Sequence, residues 1–277
     1  MSTLILGGDG MLGFYLAEIL EDSIPLKGRT VDISDPASID SHITEKTRWI
    51  VNCIGCIPHR NPYLADMILA NSIFPQTLFF HLRDKFPSIR LLHITTDCVF
   101  QSSDPARQFS ESDAPSAGIS GYGVSKWCGE PKGCQIIRTS IIGEETKNFL
   151  GLVERVKSAE REMDGWTDHI WNGVTCLSLA KLIQKIIAEN IVWTGPRHIF
   201  SPEPFTKYLL VNYIRTFYNP DLVVHPTSTG TVVNRQLTTN MEILPVDDLG
   251  NTIQEMWEWG KNRFNRSKTS LHEHDLP

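Results

Sequence analysis

Seven residues near the start, Gly7-Gly8-Asp9-Gly10-Met11-Leu12-Gly13, constrain this chain more than any other stretch. They follow Leu4-Ile5-Leu6, an apolar run that reads as a short buried strand. They lead into residues 11–20, where Leu12, Tyr15, Leu16, Ile19 and Leu20 recur at helical spacing. Glycines at 7, 10 and 13 allow a tight turn, backbone approach to a pyrophosphate, and close packing of helix on strand. The helix N-terminus then faces the anion. A glycine pattern alone is weak evidence, and its bland reading is a Gly-rich turn. Between a first strand and a first helix it has the context that dinucleotide binding requires. Gly7, Gly10, Met11 and Leu12 are therefore candidate cofactor contacts.

The stretches that follow keep alternating. Leu26 marks a second strand. Asp35-Pro36 opens a helix over 36–46, and a strand spans 49–53. A long helix over 64–86, kinked at Pro75, precedes a strand at 89–95. A helix over 122–129 and a strand at 135–138 complete the series. This βαβ order predicts an α/β, Rossmann-type, doubly wound parallel sheet over residues 1–140. After Thr139 the pattern changes to helices at 149–158, 177–189, 208–217 and 250–259 among Pro- and aromatic-rich stretches. Residues 141–260 read as a smaller C-terminal α/β substrate-binding cap, with part of 170–200 returning to the first domain. Residues 261–277 read as a polar tail.

Bulk properties exclude some functions. A net charge of -6 argues against nucleic acid as a partner, because phosphate binding wants clustered Lys and Arg. No apolar run approaches roughly 18 residues, so no membrane span is expected. Met1 to Thr3 carry no basic region or cleavage site, so no signal peptide is expected. Six cysteines lie scattered, none in zinc spacing, and no metal is expected. Cys53 and Cys56 have redox-motif spacing but sit in a predicted βα loop, where the simpler reading is small residues in a tight turn. Reduced thiols point to a cytoplasmic protein. Nothing fixes an oligomeric state, and a homodimer stays open.

The end of the second strand normally separates NAD from NADP binders, an acidic residue there taking the ribose hydroxyls. This chain has Lys27-Gly28-Arg29 instead. Lys27 and Arg29 suit a 2′-phosphate, which favours NADPH. Asp32 and Ile33 follow and are placed to bracket the adenine.

Tyr122 and Lys126 stand four apart, hence on one face of a helix. A nearby ammonium lowers a phenol's pKa from its reference of about 10, so the pair is a candidate acid with its tuning group. It follows the strand that ends in Thr95-Thr96-Asp97, at the carboxyl edge of the sheet where ligands bind.

With these pieces assembled, the chain resembles the extended short-chain dehydrogenase/reductases, and within them the dTDP-4-dehydrorhamnose reductase family. The resemblance rests on the glycine turn, Asn52-Cys53-Ile54-Gly55, Asn71, Thr95 to Phe100, Glu111-Ser112-Asp113-Ala114-Pro115, and Tyr122 through Lys126 to Glu130. Arg138-Thr139-Ser140, Asn148-Phe149 and Trp171-Asn172-Gly173-Val174-Thr175 extend it, and Arg235 to Leu249 more faintly. It implies that Thr96 hydrogen-bonds a sugar carbonyl, that Tyr122 is the acid, and that Lys126 tunes it and holds the nicotinamide ribose. It implies that Asn71 steadies the site and that Cys53, Ile54 and Gly55 border the adenosine, with Thr95 on the cofactor side. Asp97, Asn148, Trp171, Thr175 and Arg235 fall on the nucleotide-sugar side. Each has a plainer alternative: Asn71 bridging backbone, Trp171 in the core, Asn148 capping a helix.

Departures from the family pattern bear on the substrate. Cys98 stands where the family has tyrosine, and Cys56-Ile57-Pro58-His59-Arg60 replaces the usual loop. Related dehydratases carry glutamate at the Cys98 position, and a thiol cannot move that proton at neutral pH. The expected activity is therefore NADPH-dependent reduction of a 4-keto group on a nucleotide-activated 6-deoxy sugar, dTDP-linked by resemblance. An epimerase and a non-catalytic regulatory subunit of the same fold are the alternatives.

Overall fold

The computed structural model describes residues 2–59, 61–261, 263 and 264. Most of the 261–277 tail, and Arg60 of the Cys56 loop, lie outside the described residues. In chain order the strands are β1 (Ser2–Leu6), β2 (Ser23–Leu26), β3 (Thr47–Asn52), β4 (Arg90–Thr96), β5 (Gln135–Thr139), β6 (Ile141–Ile142), β7 (Glu162–Trp166), β8 (His169–Trp171), β9 (Val174–Thr175), β10 (Gly195–His198), β11 (Phe205–Thr206), β12 (Val223–Thr227) and β13 (Val233–Asn234). The helices are α1 (Met11–Ile19), α2 (Leu64–Ile68), α3 (Phe74–Lys85), α4 (Gly121–Cys128), α5 (Leu152–Ser158), α6 (Cys176–Ala188), α7 (Lys207–Tyr218) and α8 (Leu249–Lys261).

Six parallel strands form the central sheet in the order β10-β5-β4-β3-β1-β2. Their side chains alternate between two cores, as a strand period of two requires. Ile5, Val51, Leu92 and Ile137 face one side, with α1 and α6; Leu4, Leu6, Ile50, Leu91 and Ile136 face the other, with Phe74, Leu78 and Leu82 of α3. The first core runs on without a break into α5, α7 and α8 through Val153, Leu210, Ile214 and Ile253. Residues 141–260 are thus built onto the sheet. Each fully buried Leu or Ile contributes roughly 1.5–3 kcal/mol of burial free energy. The strand order reverses between β1 and β3, and that crevice is where a fold of this kind takes a ligand.

The fold corrects two expected helices. Residues 36–46 form only a 3-10 turn, Pro36–His42, in which Ile39 alone is buried. A segment with one core residue has no apolar face to hold an α-helix down. Asp35 still caps it, accepting from the Ala37 amide. The long helix is interrupted before Pro75 by a π turn, Leu69–Ile73, with Pro75 in the first turn of α3. The short strands β7 to β9 and β11 to β13 escaped the sequence reading, because two to five residues carry too little alternation to register.

Candidate active site

The glycine turn is forced by space. Gly7 has φ +79°, the left-handed region. A Cβ on Gly13 would fall 2.1 Å from the Gly7 carbonyl oxygen, so only glycine lets α1 pack this close to β1. This turn borders a cleft of 660 Å³ that also takes in the ends of β3, β4 and β5.

The opposite wall is set by α4. Ser120 caps this helix, its Oγ accepting from the Gly123 amide at 3.2 Å. A Cβ on Gly123 would sit 2.3 Å from the Cys98 carbonyl oxygen, so the helix presses against the turn that follows β4. That approach brings Tyr122 beside Thr96. Thr96 Oγ1 accepts from the Cys98 amide at 3.1 Å and donates to Asp97 Oδ1 at 3.2 Å. One helical turn on, Lys126 is buried and its Nζ donates to the Ile94 carbonyl at 3.4 Å. A Cβ on Gly55 would meet that Nζ at 2.9 Å.

Asn71 lies in the π turn and is fully buried. Its Oδ1 accepts from the Cys56 amide at 2.8 Å, and its Nδ2 donates to the Cys56 carbonyl at 2.8 Å and to Ser125 Oγ at 3.0 Å. One side chain thus ties the loop after β3 to α4. A Cβ on Gly129 would fall 1.7 Å from the Asn71 carbonyl, so the end of α4 rests directly on the π turn.

Burial dominates the electrostatics. It pushes the Tyr122 phenol well above its ordinary value, with Cys98 and Asp97 adding to the effect and Thr96 opposing it. Burial pushes the Lys126 ammonium down to about 8. Besides burial, the groups that act most on Tyr122 are Cys98, Thr96, Asp97 and Cys56. Lys126 Nζ faces Ile94, Cys53 and Gly55, whereas the phenol faces Thr96, Asp97 and Cys98. The Cys53 thiol is pushed up to about 12 by burial, against a redox role for that spacing. Cys98 is pushed up to about 11 by burial and the neighbouring Asp97.

Two family models match the chain. The one described as the NAD dependent epimerase/dehydratase family matches residues 3–132. The one described as the RmlD substrate binding domain matches residues 84–241, more than half of the chain. The chain belongs to this RmlD family. Among solved structures it is similar to the dTDP-4-dehydrorhamnose reductase of Bacillus anthracis str. Ames in complex with NADP, with TM-score 0.80, 22% identity, and 94% of this chain and 99% of that one covered. It is similar to a dTDP-4-dehydrorhamnose reductase of Clostridium acetobutylicum ATCC 824, with TM-score 0.76, 19% identity and coverage of 94% and 99%. It also matches the dTDP-glucose 4,6-dehydratase of Bacillus anthracis str. Ames, with TM-score 0.67, 16% identity and coverage of 96% and 98%. At such identities the likeness shows the fold. No curated protein sequence matches the chain.

Within this RmlD-family fold, the expected site residues divide. Gly7, Gly10, Met11, Leu12, Arg29, Ile33, Cys53, Ile54, Gly55, Thr95, Thr96, Tyr122 and Lys126 all line the one cleft. Thr95 Oγ1 is buried there without a hydrogen-bond partner. Lys27 is exposed and stands outside the lining. Asp32 turns away to bond the Ser34 amide and hydroxyl at 2.9 and 2.6 Å. Asp97 is buried behind Thr96.

The substrate-side residues are more scattered. Asn148 caps nothing; it is exposed with φ +69°, and α5 starts later, after Gly151. Thr175 is fully buried and caps α6, its Oγ1 accepting from the Ser178 amide at 3.2 Å, so its hydroxyl is committed to the fold. Trp171 is buried, and Gly173 lies so close that a Cβ would meet its ring at 1.8 Å. Arg235 does reach the turn that follows Thr96, donating from Nη1 to Cys98 Sγ at 3.2 Å. Sequence reasoning missed Lys207, whose Nζ lies 4.8 Å from the Trp171 ring centroid, and it missed Asp9 and Lys147 in the cleft wall. Asp9 alone carried a signal, being an acid inside the glycine turn.

Proposed function

We propose that this chain reduces the 4-keto group of a nucleotide-activated 4-keto-6-deoxy sugar, dTDP-linked, with NADPH. The observation that carries this reading is that Thr96, Tyr122 and Lys126 share one cleft with the glycine turn. The fit to a dinucleotide is steric as well as compositional: Gly8 and Gly13 leave no room for a Cβ, Gly7 has a left-handed backbone, and Thr95 offers an unpartnered buried hydroxyl. Gly7, Gly10, Met11 and Leu12 would hold the diphosphate, Ile33 and Ile54 the adenine, Arg29 the 2′-phosphate, and Lys126 the nicotinamide ribose. When bound, the cofactor supplies the hydride that C4 accepts.

The chain's own groups do the rest. Tyr122 is kept protonated by burial, as an acid must be before it gives its proton to the C4 oxygen. Thr96 stands beside it to polarise the carbonyl. Lys126 brings a cation to the floor of the site, and Asn71 fixes the loop and helix that carry the pair. Cys98, a thiol held protonated, offers no carboxylate for dehydration. Arg235 and Lys207 both act on Asp97, bringing two cations to the sugar side and suiting a substrate that carries a diphosphate.

The test is purified protein with NADPH and 4-keto-6-deoxy sugars linked to dTDP, GDP, CDP and UDP, with the product identified by NMR. Loss of reduced-nicotinamide absorbance and a new secondary alcohol at C4 are expected. No consumption with any member of the panel sinks the reading; turnover without net consumption would replace it with epimerisation.

A further inference from the structure

Asp9 is a carboxylate in the middle of a turn that would face phosphates, and two partners hold it. Its Oδ2 accepts from the Gly28 amide, 3.1 Å away, in the 3-10 turn that follows β2. It also forms an ion pair with Lys147, 138 residues further along the chain, on the loop between β6 and α5. Asp9, Gly28, Arg29 and Lys147 all line the same cleft. The pair therefore joins two walls of the cleft that the sequence places far apart.

The end of the second strand is where this fold distinguishes its cofactors. A carboxylate there accepts from a ribose 2′-hydroxyl and repels a 2′-phosphate; a basic group does the reverse. Asp9 brings a carboxylate to that place from the glycine turn, bonded to the amide of Gly28, the residue before Arg29, in a cleft that Arg29 also lines. Unopposed, it would repel the phosphate that Arg29 attracts. Lys147 supplies the opposing charge.

The loop that presents Lys147 is held rather than free. Asn148 and Phe149, which follow it, have φ +69° and +52°, a region a bulky residue such as phenylalanine rarely adopts. Their surroundings hold them there. The Leu150 amide donates to Glu145 Oε2 at 2.8 Å, and the Glu145 amide donates to Glu154 Oε1 at 3.2 Å. Lys157 in turn pairs with Glu154 and Glu144. The turn is anchored to α5 from inside, and Lys147 points out of it to the glycine loop.

We infer that Lys147 is a cofactor-selecting residue: by pairing with Asp9 it cancels the carboxylate's repulsion of a 2′-phosphate and lets Arg29 favour NADPH. The inference rests on reading the cleft as a dinucleotide site. It assigns specificity to a residue on the substrate-side loop, outside the glycine turn and the second strand.

The test is direct binding of NADPH and NADH to the full chain, read by the fluorescence of the reduced nicotinamide. Wild type is compared with Lys147→Ala, Asp9→Asn and the double variant. Lys147→Ala should weaken NADPH about fivefold or more while leaving NADH within about twofold, the scale of a partly exposed ion pair. The loss should shrink as salt is raised. Asp9→Asn should tighten NADPH, and in that background Lys147→Ala should cost nothing further. Equal weakening of both cofactors, an unchanged NADPH affinity, or a loss that persists with Asn at position 9 would overturn the inference. Failure of wild type to bind either cofactor would overturn the dinucleotide reading itself, and this inference with it. An unchanged melting temperature in each variant excludes misfolding as the cause.

Discussion

The two sides of the cleft are built differently. The edge that carries Thr96, Tyr122 and Lys126 hangs on β4, α4 and the π turn, where Gly123 and Gly129 bring backbone against backbone and Asn71 bonds both neighbours. On the cap side, Trp171 and Thr175 sit on strands of three and two residues, and Asn148 and Phe149 form a turn with left-handed backbone. Reacting groups must be held to a fraction of an ångström, and a packed strand end and helix can do that. A substrate's outer parts tolerate looser support, and loops vary more readily than the elements they join. The difference suggests a fixed reaction beside an adjustable specificity.

The sharpest way to break that contrast is Tyr122→Phe. Removing the acid should lower turnover by roughly 10²- to 10⁴-fold, with the melting temperature little changed. Full activity in a stopped-flow NADPH assay would refute the assignment. Gly123→Ala comes next. Its Cβ would enter the space of the Cys98 carbonyl, so α4 must shift; turnover should fall by about 10²-fold, with about 1–3 kcal/mol lost in urea melts.

Lys126→Met separates function from stability. An ammonium driven by burial from near 10.5 to about 8 costs the fold roughly 3 kcal/mol at neutral pH. The folded value is the lower one, so that cost is full below pH 8 and is relieved as pH rises toward 10.5. The variant should therefore be inactive yet more stable at pH 7, and wild-type stability should rise between pH 8 and 10.5 where the variant's does not. For wild type, kcat/KM should fall above about pH 8 as Lys126 loses its charge. The smallest effect is expected on the cap side. Thr175→Ala should cost about 1 kcal/mol as a lost helix cap, with KM for the sugar nucleotide unchanged. A large KM effect would return Thr175 to the substrate site.

The same division governs what the sequence disclosed. Tyr122 and Lys126 were legible because a local rule pairs them, a spacing of four on a helix, and a strand end put Thr95-Thr96-Asp97 at the ligand-binding edge; Thr96 itself was singled out by resemblance. The glycine turn was legible for the same reason. Asn148, Trp171 and Thr175 were chosen by resemblance, and their local surroundings use them for a turn, for core and for a cap. The pairs that meet from distant parts of the chain, Asp9 with Lys147 and Cys98 with Arg235, could not be seen. Nothing in residues 1–20 says which loop will lie over them. The 36–46 segment failed for a third reason: its capping signal was correct, but Ile39 alone could not anchor a full helix.

The π turn at Leu69–Ile73 has a consequence for how this chain can change. Such a turn holds one residue more than the α-helix it interrupts, and each α-helical residue advances the helix by about 100°. Deleting a single residue there would restore regular winding and leave α2 and α3 nearly in phase, because the wider turn had absorbed the extra residue, but it would remove the widened turn that carries Asn71. Asn71 would swing off the Cys56 loop, and Gly129 would lose the carbonyl it rests on. The segment acts as a local widening of one rod, placing Asn71 and its carbonyl where the neighbouring loop and α4 meet them. It can accept substitutions that keep its width, but it cannot change its count.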